Sequence, residues 1–154
     1  MSLVEARLAA MDITIPASNP PAGNYVRAHK AGDLLFLSGH LPDSDSVPRF
    51  IGKLGRDLTT EEGYQAARIA TINSLGTIKQ YLGDLDRVTH FVKLLGMVNS
   101  TPDYIEQPLV LNGSSDFLHE VFGPDIAPHA RSAVGMASLP RGNSVEIEMI
   151  VQFK

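Results

Sequence analysis

The chain has 154 residues, no cysteine, 44% hydrophobic and 19% charged residues, and a formal net charge of −4. Without cysteine, disulfides, thiolate nucleophiles and cysteine-based metal sites are excluded, and the acidic balance disfavours nucleic acid as a partner. At this length a single domain over residues 1–154 is expected, with 1–21 as a helix and an extended lead-in. The first residues, Met1 to Leu8, carry charges where a signal peptide needs an apolar core, and no apolar run approaches the ~18 residues of a membrane span. A cytoplasmic location without membrane contact is therefore expected.

Leu3, Val4, Leu8 and Met11 give a short amphipathic helix, after which Pro16, Pro20 and Pro21 impose extended or turn backbone. Two strand-like runs, Tyr25 to His29 and Leu34 to Ser38, flank a Gly-Asp turn at Gly32-Asp33 and predict a hairpin. Residues 43–55 read as a loop with a short strand near Phe50. Thr59-Thr-Glu-Glu62 is a capping-box pattern, so a helix is expected from there to Leu82, stopped by Gly83. Its small residues Ala66, Ala67, Ala70 and Gly76 suit close packing on a sheet.

Val88 to Val98 reads as a central strand, apolar on both faces. Phe91, Leu95 and Met97 are placed on one face, and Val88, Val92, Leu94 and Val98 on the other. Gln107 to Phe122 reads as a second long helix with Leu109, Leu111, Phe117, Leu118, Val121 and Phe122 as its apolar set, ended by Gly123-Pro124. The second face of the central strand needs a cover. Self-association supplies one; residues 43–57 folding over it are the alternative.

The last quarter alternates with a period of two on both sides of Pro140-Arg-Gly-Asn143, the pattern of a β-hairpin. Arg131 shares a face with the featureless Ala133 and Gly135, leaving room for a small ligand, and a guanidinium fork suits a carboxylate. An ordinary surface ion pair would account for it equally. Glu146 is a candidate general base or water-orienting group; Glu148 shares its parity, so one of the two is a solvated carboxylate. In a hairpin centred on Arg141-Gly142, Glu146 lies opposite Ala137, on the order of 20 Å from Arg131. If the two share a site, it is built between subunits.

Tyr25, Ser38 and Asn112 offer hydroxyls and an amide for orienting a substrate. His129 is a further candidate because it titrates near neutrality. The five histidines show no ligand spacing, so no metal is expected. Nucleophile elbow and phosphate loop are both missing.

Gly23-Asn-Tyr-Val26, Leu37-Ser-Gly-His-Leu-Pro42, Gly83-Asp-Leu-Asp-Arg-Val88, the Asn112 segment, and Ala130-Arg-Ser-Ala-Val-Gly-Met-Ala-Ser-Leu-Pro140 with Val145-Glu-Ile-Glu-Met-Ile150 together resemble the YjgF/YER057c/UK114 (Rid) family, also labelled endoribonuclease L-PSP. The resemblance covers residues 22 to 153. It implies an α+β, chorismate-mutase-like fold: a mixed, mainly antiparallel sheet of about six strands with two long helices on one face. It also implies a homotrimer with ligand clefts between subunits and cofactor-free hydrolytic deamination of small enamine or imine carboxylates of the 2-aminoacrylate or 2-iminopropionate type. Arg131 matches the arginine that grips the substrate carboxylate and Glu146 the glutamate that positions water. Tyr25, Ser38, Gly39, Asn112 and Ala133 match substrate-binding positions. Ala133 stands where deaminating members often carry Cys, Asn24 and His129 where they carry Pro, and His40 where they carry Gln, which points to a divergent subgroup. A carboxylate-binding trimer without catalysis and an endoribonuclease are the competing readings.

Overall fold

The computed structural model describes residues 2–43 and 50–154. Its elements are α1 (Leu3–Ala10), β1 (Ala28–Ala31), β2 (Leu34–Leu37), α2 (Thr60–Leu82), β3 (Val88–Asn99), α3 (Gln107–Phe122), β4 (Ala130–Met136) and β5 (Val145–Phe153). The strands form one sheet in the order β1-β2-β5-β3-β4. All pairs are antiparallel except β3 with β4, which run parallel. The expected α+β architecture is present, with five strands where about six were expected. The strand sought near Phe50 reduces to isolated bridges from Ile51 to Asn143 and from Leu54 to Leu58 and Ser100; residues 44–49 lie outside the described ones.

The α2 boundaries follow from local chemistry. Thr59 accepts from the Glu62 backbone N–H while the Glu62 carboxylate accepts from the Thr59 N–H, and Gly83 takes a positive φ of 83° at the other end. Both long helices lie on one face, where Leu94 and Val98 of β3 and Val145, Ile147, Met149 and Val151 of β5 are buried. On α3, Val110 is buried and Leu109 is 50% exposed, so the apolar stripe is turned one residue from the expected one. The expected packing of Gly76 on the sheet is also replaced: a Cβ there would sit 2.3 Å from the Pro16 carbonyl, so this glycine admits the lead-in segment against α2.

Two strand assignments change. Between the pairs Phe91–Val151 and Lys93–Ile150, β3 carries one residue more than β5. This bulge moves Phe91 onto the helix-covered face with Leu94 and leaves Val92 40% exposed. The closing runs are strands, but they form no hairpin: β3 lies between β4 and β5. Because α3 joins β3 to β4, the chain returns to the same sheet end and the two strands pair in parallel, as a β–α–β connection requires. Residues 137–144 then pass the end of β3.

Among the described residues nothing covers the face away from the helices. Phe36, Val92 and Val134 are each about 40% exposed there, beside the half-buried Leu95 and Met97. Residues 50–57 do not cover it; Leu54 instead is fully buried against Gly63 of α2. Among the described residues no helix is long and apolar enough to cross a membrane.

Candidate functional site

The residues singled out from the sequence fall into two groups on opposite sheet faces. Arg131 pairs with Leu94 on the helix-covered face; Glu146 pairs with Met97 on the open face. They flank β3 on its two sides, three residues apart along it, so their Cα atoms are about 14 Å apart by strand geometry. The hairpin-based separation of about 20 Å is thereby corrected. Their failure to meet within one chain stands for a stronger reason, since they point to different faces.

In the first group, Arg131 is held against α3. Its Nη1 donates to Asn112 Oδ1 at 2.9 Å and to Ser115 Oγ at 3.1 Å, and Nη2 donates to the Pro108 carbonyl at 3.3 Å. Asn112 and Ser115 are three residues apart on the helix and so share one side. Their spacing holds the guanidinium still while Nε stays unengaged by any described residue. Asn112 thus orients the arginine. Ala133 follows on the same face of β4 and is half-buried. His129 extends this group: its Nδ1 lies 2.7 Å from the Ala127 carbonyl and its Nε2 3.0 Å from Ser115 Oγ. A carbonyl only accepts, so Nδ1 carries the proton, Nε2 accepts from the Ser115 hydroxyl, and Ser115 in turn accepts from Arg131. Burial, and then the Arg131 charge, hold the His129 pKa below its ordinary value against the pull of the Ala127 carbonyl.

The second group surrounds Glu146. Its half-buried carboxylate lies directly on Gly39, where a Cβ would fall 1.8 Å from Oε1. Burial pushes its pKa up, Glu148 adds to the shift, and the Arg27 guanidinium opposes it. The Ser38 hydroxyl donates to the Val26 carbonyl at 2.7 Å, and Arg27 Nη1 donates to the Gly39 carbonyl at 3.3 Å. Tyr25 is 47% exposed, and its phenol oxygen accepts from the Ala22 N–H at 3.2 Å. That bond and the Arg27 charge outweigh desolvation and lower its pKa. Tyr25 and Arg27 precede β1, which starts three residues later than the run Tyr25 to His29 suggested.

His40 anchors this group from below. Nδ1 meets the Ser38 carbonyl and Nε2 meets Thr77 Oγ1, both at 2.7 Å, and Thr77 also meets Ser18 Oγ of the lead-in at 2.7 Å. Burial, and then the Arg27 charge, lower its pKa to about 4 from an ordinary 6.5. In that window the unfolded chain binds a proton that the folded chain refuses, so stability falls as pH drops from 6.5 towards 4. Between pH 7 and 4.5 the loss from this one group is about 2–3 kcal/mol. His40→Gln keeps a donor and an acceptor but does not titrate, and should be less acid-sensitive by that amount in denaturant unfolding at the two pH values. Equal sensitivity of the two proteins would remove His40 from the account.

Ser115 and Arg27 were missed in the sequence. For Ser115 the signal was its three-residue spacing from Asn112, and for Arg27 its shared parity with Tyr25. The described residues line at least two cavities. One, of about 350 Å³, is lined by Tyr25, Arg27, Gln80, Tyr81 and the Ser18–Pro21 stretch. The other, of about 260 Å³, lies between Tyr104, Gln107 and Gly135 and contains none of the expected site residues. Among the described residues no three of His, Asp and Glu gather to hold a metal ion. Chemically, each chain therefore presents a fixed cation on one face, and a half-buried carboxylate beside small groups on the other.

Comparison with known proteins identifies the family and the fold. The family model described as "YjgF/chorismate mutase-like, putative endoribonuclease" matches residues 5–150. Protein TCP17 of Trypanosoma cruzi is 44% identical over 97% of this chain and 93% of its own. A "putative endoribonuclease" from Shewanella oneidensis superposes with a TM-score of 0.93 at 32% identity, over 99% of this chain and all of the other. At the level of fold alone, E. coli TdcF with bound serine shares 20% identity and a TM-score of 0.61 over 92% and 96% of the two chains. The chain belongs to the YjgF/chorismate-mutase-like family.

Proposed function

We propose that the protein is a cytoplasmic homotrimer that hydrolyses small imine and enamine carboxylates in clefts between its subunits. The observation that carries this reading is that Arg131 and Glu146 occupy opposite faces of one chain, so that a second chain is needed to bring the two into one cleft. The open face with Phe36, Val92 and Val134 offers apolar area for that association. The serine held by TdcF carries an α-carboxylate beside an α-nitrogen, the same groups an imino acid would present.

In the cleft, the fixed Arg131 fork takes the substrate carboxylate, worth about 1.5–3 kcal/mol for a desolvated charge-assisted contact. Glu146 of the neighbouring subunit orients water against the imine carbon and accepts its proton. The C–O bond forms, the C–N bond then breaks, the proton passes to the departing nitrogen, and ammonium and a keto acid leave. A carboxyl whose pKa is raised by burial suits a group that must take and return a proton near neutrality.

The test is ammonia release from 2-iminopropionate generated in place, by wild type and by Arg131→Ala. Wild-type release that Arg131→Ala removes is the expected result. Keto-acid binding without release would make the protein a carboxylate-binding trimer, and RNA cleavage that Arg131→Ala abolishes would favour the endoribonuclease reading.

A further inference from the structure

Arg27 takes no part in the proposed imine hydrolysis, yet its guanidinium beside Glu146 is only partly satisfied. Its Nη1 donates to the Gly39 carbonyl at 3.3 Å, and the guanidinium also interacts with the Tyr25 phenol oxygen. Its Nε is buried without a partner, and no carboxylate among the described residues forms an ion pair with it. Guanidinium groups removed from water are ordinarily paired, because desolvation without a counter-ion is costly. Arg27 lines the 350 Å³ cavity with Tyr25, Gln80 and Tyr81, and it also reaches the Gly39 carbonyl against which Glu146 rests. It therefore stands between the Glu146 carboxylate and a cavity of mixed polar and apolar lining.

Charge balance gives the ligand class. The buried part of the assembled cleft holds two cations, Arg131 of one subunit and Arg27 of the other, against the half-buried carboxylate of Glu146, since the neighbouring Glu148 is exposed to solvent. An iminium monocarboxylate is neutral overall and leaves one positive charge uncompensated. An iminium dicarboxylate carries one net negative charge and closes the balance. We infer that Arg27 binds a second, distal carboxylate, so that the preferred substrates are imines of dicarboxylic acids whose side chain enters the cavity beside Tyr25 and Tyr81. The guanidinium fork and the two phenols supply donors for both of its oxygens. The reaction is unchanged: water adds to the imine carbon, ammonium departs, and the distal carboxylate takes no part in bond making.

This inference rests on the cleft reading, and the experiment separates the two. Binding of oxaloacetate and of 2-oxobutyrate to the assembled full-length protein is measured by calorimetry. The two keto acids share four carbons and differ in a terminal carboxylate against a methyl group. Wild type should bind oxaloacetate about tenfold or more tightly than 2-oxobutyrate, the scale of one charge-assisted contact. Arg27→Gln should bring the two affinities together, chiefly by weakening oxaloacetate, and Arg27→Lys should keep part of the preference through its charge. Equal affinities in wild type, or a preference that Arg27→Gln leaves intact, would overturn the role of Arg27. If Arg131→Ala still weakened both ligands in that case, the cleft reading would survive. Failure of both keto acids to bind wild type would overturn the cleft and the inference together.

Discussion

Gly39→Ala should lower turnover on the order of 100-fold while changing the melting temperature little, because it displaces a catalytic group without breaking the fold. Gly39 is not among the glycines with positive φ, so the backbone accepts an alanine. The added Cβ, however, would fall 1.8 Å from Glu146 Oε1 and 2.7 Å from its Cδ. Those atoms end a flexible side chain in a half-buried position, and the carboxylate can swing aside at small cost. Contrast Gly113, where a Cβ would sit 2.0 Å from the Tyr64 carbonyl of α2, backbone that cannot swing away. At Gly39 the yielding partner is the group proposed to orient water, and a displacement of about 1 Å at such a centre costs on the order of a hundredfold in rate. The measurement is kcat beside a thermal unfolding curve. Full activity would show that the position of the Glu146 carboxylate does not matter to the reaction.

Helix boundaries were legible in the sequence because caps are local. Thr59 and Glu62 satisfy each other within one turn, and Gly83 and Gly123 end their helices with positive φ, so no distant contact is needed to place these ends. The helix phase was less secure. Leu109 and Val110 are both apolar, and only packing against α2 and β3 decides that Val110 goes inward. The strands were legible as strands, and their parity was enough to group Glu146 with Glu148, and Arg131 with Ala133 and Gly135. Their partners were not. A period of two states which way side chains point but not which strand lies alongside, and β4 and β5 close on β3 instead of on each other. The clue was a full helix between β3 and β4, since a strand that returns after a crossover helix pairs in parallel.

The candidate site shows the same division. Arg131 and Glu146 stood out because charge is conspicuous beside small residues on a strand. Ser115 did not, because a serine inside a helix carries no signal until the arginine it accepts from is known to lie above it. Arg27 read as one more strand residue near the start of β1. Its unpartnered Nε is a property of the folded neighbourhood that no spacing displays.

A cleft that takes Arg131 and Glu146 from different chains, as proposed, has a quantitative consequence. Arg131→Ala and Glu146→Gln should each be nearly inactive alone, and refolding the two together in equal amounts should restore about a quarter of wild-type turnover. In a ring of identical contacts each cleft takes its arginine from one chain and its glutamate from the next. The first chain must then be one that carries Glu146→Gln, with its arginine intact, and the second one that carries Arg131→Ala, with its glutamate intact. Each condition is met half of the time in random assembly, and their product, about one quarter, does not depend on the number of subunits in the ring. A site contained in one chain predicts the opposite, since every chain in the mixture would carry one defect and the mixed preparation would stay as inactive as its components. The two outcomes differ by more than tenfold if each single variant retains about 1% of wild-type turnover, the scale expected when one catalytic contact is removed. Restoration well above the single variants therefore requires that the cation and the carboxylate meet across a subunit boundary, the arrangement proposed from their placement on opposite sheet faces.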